Sequence, residues 1–359
     1  MGLRKWQINP LDLLTALLPV TALLHYLEVD SIYVFLASGL AIVPLASLMG
    51  RATEALADRL GEGIGGLLNA TFGNAAELII GAVALRAGML DLVKASITGS
   101  IIGNVLLVFG VSVVAGGLKY SSVRFNKTAA NLGSSMLVLS AAALIVPAIH
   151  FRIAGGSIHT AERELSFEIA VVLIITYILS LIFTLKTHRH LYAGGTEATN
   201  HALKADKIWS LKRALVMLLV ATAGIAWMSE LLVGAASGAA SSLGMNDVFI
   251  GVILIAIIGN AAEHSTAIAM AIKNRMDVAI NIALGSSIQI ALFVAPVLVF
   301  LSYLIAPAPM NLIFTPLEVV AVALTVVIIA FVTGDGEANW MEGVQLVALY
   351  VILAIAFFQ

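Results

Sequence analysis

The 359 residues contain no cysteine, so no disulfide, thiolate metal site or thiol nucleophile can form. Charge is scarce too. Asp, Glu, Lys and Arg make up 11% of the chain and hydrophobic residues 60%, whereas a soluble domain is about one quarter charged. A formal net charge of −2 gives no electrostatic footprint for nucleic acid or an acidic partner. What is present instead is one apolar run after another, each of transmembrane length. Lipid offers backbone groups no partner, so such runs cross as helices. The chain therefore reads as an all-α polytopic membrane protein whose surroundings are the lipid bilayer.

Eleven candidate spans stand out, at about 11–27, 31–58, 65–86, 91–118, 129–150, 166–186, 210–241, 246–272, 277–305, 313–332 and 339–358. Arg4-Lys5 followed by an apolar run from Leu11 has the outline of a signal peptide. No small-residue cleavage site precedes Glu28 and Asp30, so the run is taken as a first span. Alternating the spans with the N-terminus inside sorts Lys and Arg unevenly. Arg86, Lys94, Arg152 and Arg163 fall outside, and the rest, from Arg4 and Lys5 to Lys273 and Arg275, fall inside. By the positive-inside rule the N-terminus is cytoplasmic and the C-terminus outside.

Two of the spans contain the same five letters. Gly73-Asn74-Ala75-Ala76-Glu77 recurs as Gly259-Asn260-Ala261-Ala262-Glu263. The same shift of 186 carries Asp91 to Asp277, Gly99-Ser100 to Gly285-Ser286 and Leu106 to Leu292. Residues 31–186 and 210–359 thus form two five-helix repeats. Residues 1–30 stand outside them as an extra N-terminal helix, and 187–209 form a polar cytoplasmic linker. An odd number of spans per half makes the halves inverted relative to one another, the plan of secondary transporters with a midplane site.

The doubled motif places a carboxylate at membrane depth twice, and such residues are functional by default. On a helix, Asn74 shares a face with Glu77 and Asn260 with Glu263. Gly73 and Gly259 weaken the helix just before each carboxylate, where a break would free backbone carbonyls. The following spans add Ser100 and Asn104, then Ser286, Ser287 and Gln289. Two carboxylates with amide, hydroxyl and carbonyl oxygens make a hard site suited to Ca²⁺, and no soft or imidazole-rich set points to zinc or copper. Two carboxylates in one site also suit protons, which relieve their repulsion, and they titrate as a unit. A site that holds either a divalent cation or protons is an exchanger site.

These motifs resemble the paired signature repeats of the cation/proton exchanger family, the Ca²⁺/H⁺ antiporter branch of the calcium/cation antiporter superfamily. Gly50-Arg51-Ala52-Thr53-Glu54, Gly65-Gly66-Leu67-Leu68-Asn69-Ala70-Thr71-Phe72 and Gly334-Asp335 ahead of Asn339-Trp340 fit the same pattern. The resemblance spans nearly the whole chain. It implies Glu77 and Glu263 as carriers of the cation and of protons, with Asn104, Ser100 and Gln289 among the supporting ligands. Sodium-driven relatives usually have Asp in the second repeat, so Glu in both copies favours protons. Several relatives have an acidic run in the central loop; here it holds only Glu197 and Asp206.

The expectation is a secondary active transporter that exchanges Ca²⁺ for H⁺ and exports Ca²⁺ across a prokaryotic cell membrane. It needs no cofactor beyond the transported ions, is no enzyme, and is compatible with a homo-oligomer. A Na⁺/Ca²⁺ exchanger and a passive divalent cation channel are the alternatives. Other readings of single residues stay open. The serines, Asn104 and Gln289 could be interhelical hydrogen bonds only, and Asn74 and Asn260 could cap broken helices. His264 could relay protons or support Glu263. Glu230 reads as embedded enough for a proton path, Glu54 sits nearer an interface, and Glu318 is deep. Gly61-Glu62-Gly63-Ile64-Gly65-Gly66 matches a dinucleotide-binding spacing, but a span follows it and no strand precedes it.

Overall fold

A computed structural model describes residues 14–60, 62–153, 159–188 and 209–359. Arg4, Lys5 and most of the 187–209 linker, with Glu197, Asp206 and its histidines at 190 and 201, lie outside the described residues. The helices are α1 (Leu17–Tyr26), α2 (Ser31–Leu60), α3 (Glu62–Phe72), α4 (Ala75–Arg86), α5 (Leu90–Gly117), α6 (Lys127–Ile153) and α7 (His159–Ile182). After the linker come α8 (Leu211–Leu243), α9 (Asp247–Ile272), α10 (Met276–Ile305), α11 (Pro316–Val332) and α12 (Trp340–Phe358). Eight of these, among the described residues, are long and apolar enough to cross a membrane. The α3–α4 pair, bent by 42° at its break, makes a ninth. The expected eleven spans all coincide with helices, but α1 and α11 are shorter than a full span of about 20 residues.

The burial pattern separates centre from rim. In α5, 83% of the most apolar window is buried inside the protein, against 17% in the helix that ends at Thr187. Exposed Val172, Ile175, Ile178 and Leu179 of α7 are therefore a lipid-facing surface. Between helices in lipid, close packing rather than water exclusion supplies the attraction, and α5 achieves it against α9. A Cβ on Gly99 would lie 2.0 Å from Val252 O, so only glycine permits this approach, which sets Ser100 beside α9.

The second half repeats the first with one difference. α4 corresponds to the end of α9 and α5 to α10. Each of the latter two contains a π-helical turn at nearly the same register, Gly103–Val108 and Ile290–Val294. The pentapeptides themselves diverge. Residues 73–74 break the helix between α3 and α4, as expected, whereas Gly259 lies within continuous α9. The expected second break is corrected to a π-helical turn one step upstream, Ile250–Ile255. The five letters are identical but their flanks differ, Asn69-Ala70-Thr71-Phe72 before the first copy and Ile255-Ala256-Ile257-Ile258 before the second, so flanking residues and tertiary contacts together decide which form each copy takes.

Contacts between connecting segments sort into two sets. A two-stranded antiparallel ribbon pairs β1 (Val123–Arg124) with β2 (Glu337–Ala338). On the same face Lys119 Nζ donates to Ile272 O, the Asn126 amide to Asp277, and Arg59 to Trp209 O. On the opposite face Lys94 donates to Ile313 O, Tyr303 to Arg163 O, Ser242 to Asp30 and Asn246 to Phe357 O. Each bond joins segments that strict alternation of the spans puts on one side. The lack of native cysteine makes this directly testable. Cysteines introduced at Ser121 and at Gly334 should react with an impermeant thiol reagent from one side of the membrane, and one at Ala87 from the other only.

Candidate functional site

Glu77 and Glu263 come together where α4, α5, α9 and α10 meet. The break at 73–74 makes Glu77 a first-turn residue of α4, where unpaired amides and the helix dipole favour negative charge. Its side chain crosses to the other repeat: a Cβ on Gly259 would sit 3.5 Å from both Cγ and Oε1 of Glu77. Glu263 projects from continuous α9 one turn beyond Asn260, beside Ser286 of α10. Among the described residues, Oε2 of each glutamate is buried without a hydrogen-bond partner. A carboxylate oxygen left so at this depth calls for a cation or a proton.

Around the acids runs a network of neutral groups, and its direction can be derived. The carbonyl of Ala256 can only accept. Asn260 therefore turns Nδ2 toward it at 2.9 Å, donates also to Ser100 Oγ at 3.0 Å, and presents Oδ1 to α5. Asn104 must answer with Nδ2, which lies 3.2 Å from Asn260 Oδ1 and 3.1 Å from Ser286 Oγ. Its Oδ1 is left for His264 Nε2 at 3.0 Å, so that nitrogen holds a hydrogen and Nδ1 is the one free to gain or lose a proton. On the other side Asn74 Nδ2 donates to Gln289 Oε1, and Ser286 Oγ reaches Asn74 Oδ1 at 3.4 Å. The signature asparagines thus each bind across to the opposite repeat, Asn74 to α10 and Asn260 to α5.

All of Glu77, Glu263, Asn74, Asn260, Asn104, Ser100, Ser286 and Gln289 belong to this cluster, and His264 joins it through Asn104. The capping alternative for the asparagines does not hold. Asn74 occupies the N-cap position of α4 without a side-chain cap bond, its amide being engaged by Gln289 and Ser286, and Asn260 sits within a helix. Ser287 stays apart, donating to Ala283 O one turn back and to Ile101 O. Glu230 is not brought to the site. It is exposed and pairs with Arg86 at 2.6 Å near the far end of α4, while Glu54 is the half-buried one of the two. Buried Glu318 completes a capping box with Thr315 at the start of α11 and accepts from Thr98 at 3.2 Å.

The two approaches to the site differ. Toward the face that holds the β-ribbon, Gly73 and Ser265 are exposed and Gln289, His264 and Glu263 half-buried. Toward the other face Ile80, Ile97, Ile255, Val294 and Leu298 close over a cavity beside Glu77 of about 10 Å³, the room of about one water.

The sodium/calcium exchanger protein model matches the sequence over residues 30–186 and again over 213–359. The chain belongs to the sodium/calcium exchanger family. Within that family this exchanger is 44% identical over 351 residues to the Ca²⁺/H⁺ antiporter of Aphanothece halophytica, covering 95% of this chain and 94% of the relative. It is also 44% identical to the Ca²⁺/H⁺ antiporter ChaA of Bacillus subtilis, covering 96% and 97% of the two chains. The solved structure of native YfkE superposes with a TM-score of 0.83 at 40% identity, over 97% of this chain and 99% of that one. An H⁺/Ca²⁺ exchanger, CAX, shares the fold at a TM-score of 0.71 and 17% identity, over 97% and 91% of the chains.

The exchanger's network places its hub at Asn104, whose loss leaves Asn260 Oδ1 and His264 Nε2 without partners and takes one of two from Ser286 Oγ. Asn104→Ala should lower stability by about 1–3 kcal/mol for each buried group left unpaired. Ser287→Ala, outside the network, should cost under about 1.5 kcal/mol, the net worth of an ordinary hydrogen bond. Thermal melting of the two purified variants beside the parent protein checks the contrast.

Proposed function

We propose that this protein is a secondary transporter that exchanges Ca²⁺ for H⁺ at the Glu77–Glu263 site by alternating access, exporting Ca²⁺ from a prokaryotic cell. The observation that supports it most is the pair of facing carboxylates, one from each repeat, each with a buried oxygen that nothing among the described residues satisfies. A Ca²⁺ ion between them would take both carboxylates, with the Ser100, Ser286, Asn104, Asn74, Asn260 and Gln289 side chains holding or completing its oxygen shell. The α3–α4 break adds carbonyls that a continuous helix would have used. Protons on both carboxylates satisfy the same oxygens, so the two cargoes exclude one another. That exclusion couples their flows without a further device. Relatives whose names specify Ca²⁺ and H⁺ exchange support the choice of cargo.

Access alternates when the bundle shifts from the present arrangement, open toward the ribbon face, to one open on the other. His264, whose Nδ1 is unengaged within the network, is placed to pass protons between the open side and Glu263. Glu230, held by Arg86, belongs to the closed side and is given no part in proton transfer.

The chain crosses eleven times in this reading, with residues 1–30 the extra helix and 31–186 and 210–359 the inverted halves around a 187–209 linker. The family model's two matched segments, 30–186 and 213–359, support that division. Short α11 counts as a span because Ile313 at its start bonds Lys94 on one face, while the ribbon at its end lies on the other. The positive-inside rule then sets the ribbon face and the N-terminus in the cytoplasm and the C-terminus outside.

Ca²⁺ uptake into proteoliposomes under an imposed pH gradient, with sodium absent, tests the reading. The parent protein should transport and Glu77→Gln and Glu263→Gln should each abolish transport. Sodium-dependent flux that ignores the pH gradient would instead make it a sodium exchanger, and flux without any counter-ion would make it a channel.

A further inference from the structure

The break between α3 and α4 leaves backbone groups to satisfy, whereas the same five residues in α9, between different flanking residues, stay helical. A helix that stops at Phe72 leaves its last carbonyls without amide partners. Gly73 N still bonds Asn69 O at 2.9 Å, but among the described residues no backbone amide takes Ala70 O, which in a continuous helix would receive the amide of Asn74. A phenol takes it instead. Tyr177, on α7 and 107 residues away in sequence, donates its hydroxyl to Ala70 O at 3.1 Å, and the bond is buried. The matching carbonyl in the second repeat, Ala256 O, is occupied by Asn260 Nδ2 within an unbroken helix.

The ring of Tyr177 is itself fixed. It is 4% exposed and stacks on Phe293 at 5.1 Å between centroids and 24° between planes. Phe293 belongs to the π-helical turn Ile290–Val294 of α10, one turn after Gln289. Both sides of the break are thereby referred to the same stretch of α10. Ala70, before it, is held through Tyr177 and Phe293; Asn74, after it, is held by Gln289. Glu77 follows Asn74 by one turn, so its carboxylate is aimed by this clamp although Tyr177 is not itself part of the acid cluster.

We propose that Tyr177 is a positioning residue for cation binding: by holding Ala70 O it keeps the α3–α4 break open and Glu77 turned toward Glu263. The proposal rests on the reading that these two carboxylates share the cation. A cation that needs both acids binds only the fraction of molecules in which they already face, and its apparent affinity falls in proportion to that fraction. Removing the clamp therefore weakens binding. A hydroxyl that merely helped the helices pack would change how much protein folds, which scales the maximal rate and leaves the affinity alone.

Tyr177→Phe keeps the ring and its stacking and deletes only the hydroxyl. Tyr350→Phe is the control, since it deletes a buried hydroxyl that has no hydrogen-bond partner among the described residues. In proteoliposomes the Tyr177→Phe protein should show an apparent KM for Ca²⁺ raised by roughly three- to tenfold, the range of one hydrogen bond. Its maximal rate per folded protein should stay within about twofold, and Tyr350→Phe should match the parent in both. The rise in melting temperature that Ca²⁺ gives the detergent-solubilised protein should need correspondingly more Ca²⁺ in Tyr177→Phe. An unchanged affinity in both assays, or an equal loss in Tyr350→Phe, overturns the proposal. If the parent binds Ca²⁺ by melting yet fails to use a pH gradient, proton coupling is what fails, and the melting comparison still decides the part played by Tyr177.

Discussion

Everything in this bundle is arranged around two carboxylates that no cationic side chain among the described residues pairs with. Isolated charge in an apolar interior costs several kcal/mol per ion even after relaxation, and the usual remedy is a cationic partner. Here the ion pairs Arg86–Glu230, Asp91–Lys94 and Arg124–Glu337 involve neither acid, and the groups around Glu77 and Glu263 are amides, hydroxyls and an imidazole. Such groups orient a carboxylate without cancelling its charge. A built-in lysine would have satisfied the acids permanently. In the proposed exchange, leaving the deficit for a mobile ion is what makes a fixed site a transport site.

A neutral network of this kind works only if every member has one orientation. Ala256 O removes the ambiguity at one end, because a carbonyl cannot donate, and the choice propagates through Asn260 and Asn104 to His264. Buried polar chains are stabilising when complete and costly when one link fails. The asparagines are therefore better understood as determinants of direction than as spare ligands. Their crossing pattern also ties the repeats together, Asn74 to α10 and Asn260 to α5.

Much of this was legible in the sequence. Composition and span length settled the helical membrane class, and the pentapeptide repeated at a shift of 186 singled out the two acids and their asparagines. The same offset relates the π-helical turns that the structure shows in α5 and α10, which start one residue apart in register. The break is different. Identical letters give a bend at Gly73 and none at Gly259, so the pentapeptide alone could not have distinguished them. Tyr177 left no trace because its partner is a backbone carbonyl, which any residue supplies. Glu230 read as embedded because its neutralising Arg86 lies 144 residues away in sequence. Glu318 was readable: Thr315 three residues ahead of it spells a capping box, and the structure uses it as one.

The difference between the two copies of one pentapeptide carries a mechanical meaning. The present state holds the first half broken and the second straight. The contacts responsible are few: Gln289 on Asn74 and Tyr177 on Ala70 for the first half, the Asn260–Ala256 bond for the second. Hydrogen bonds worth about 0.5–1.5 kcal/mol each are strong enough together to select a conformation and weak enough to be exchanged. Bound cargo therefore needs to favour the other arrangement by only a few kcal/mol, the scale on which a two-state equilibrium is reversed. A bundle fixed by buried ion pairs would have demanded far more. Building the centre from amides and hydroxyls keeps both arrangements within reach of a single ion.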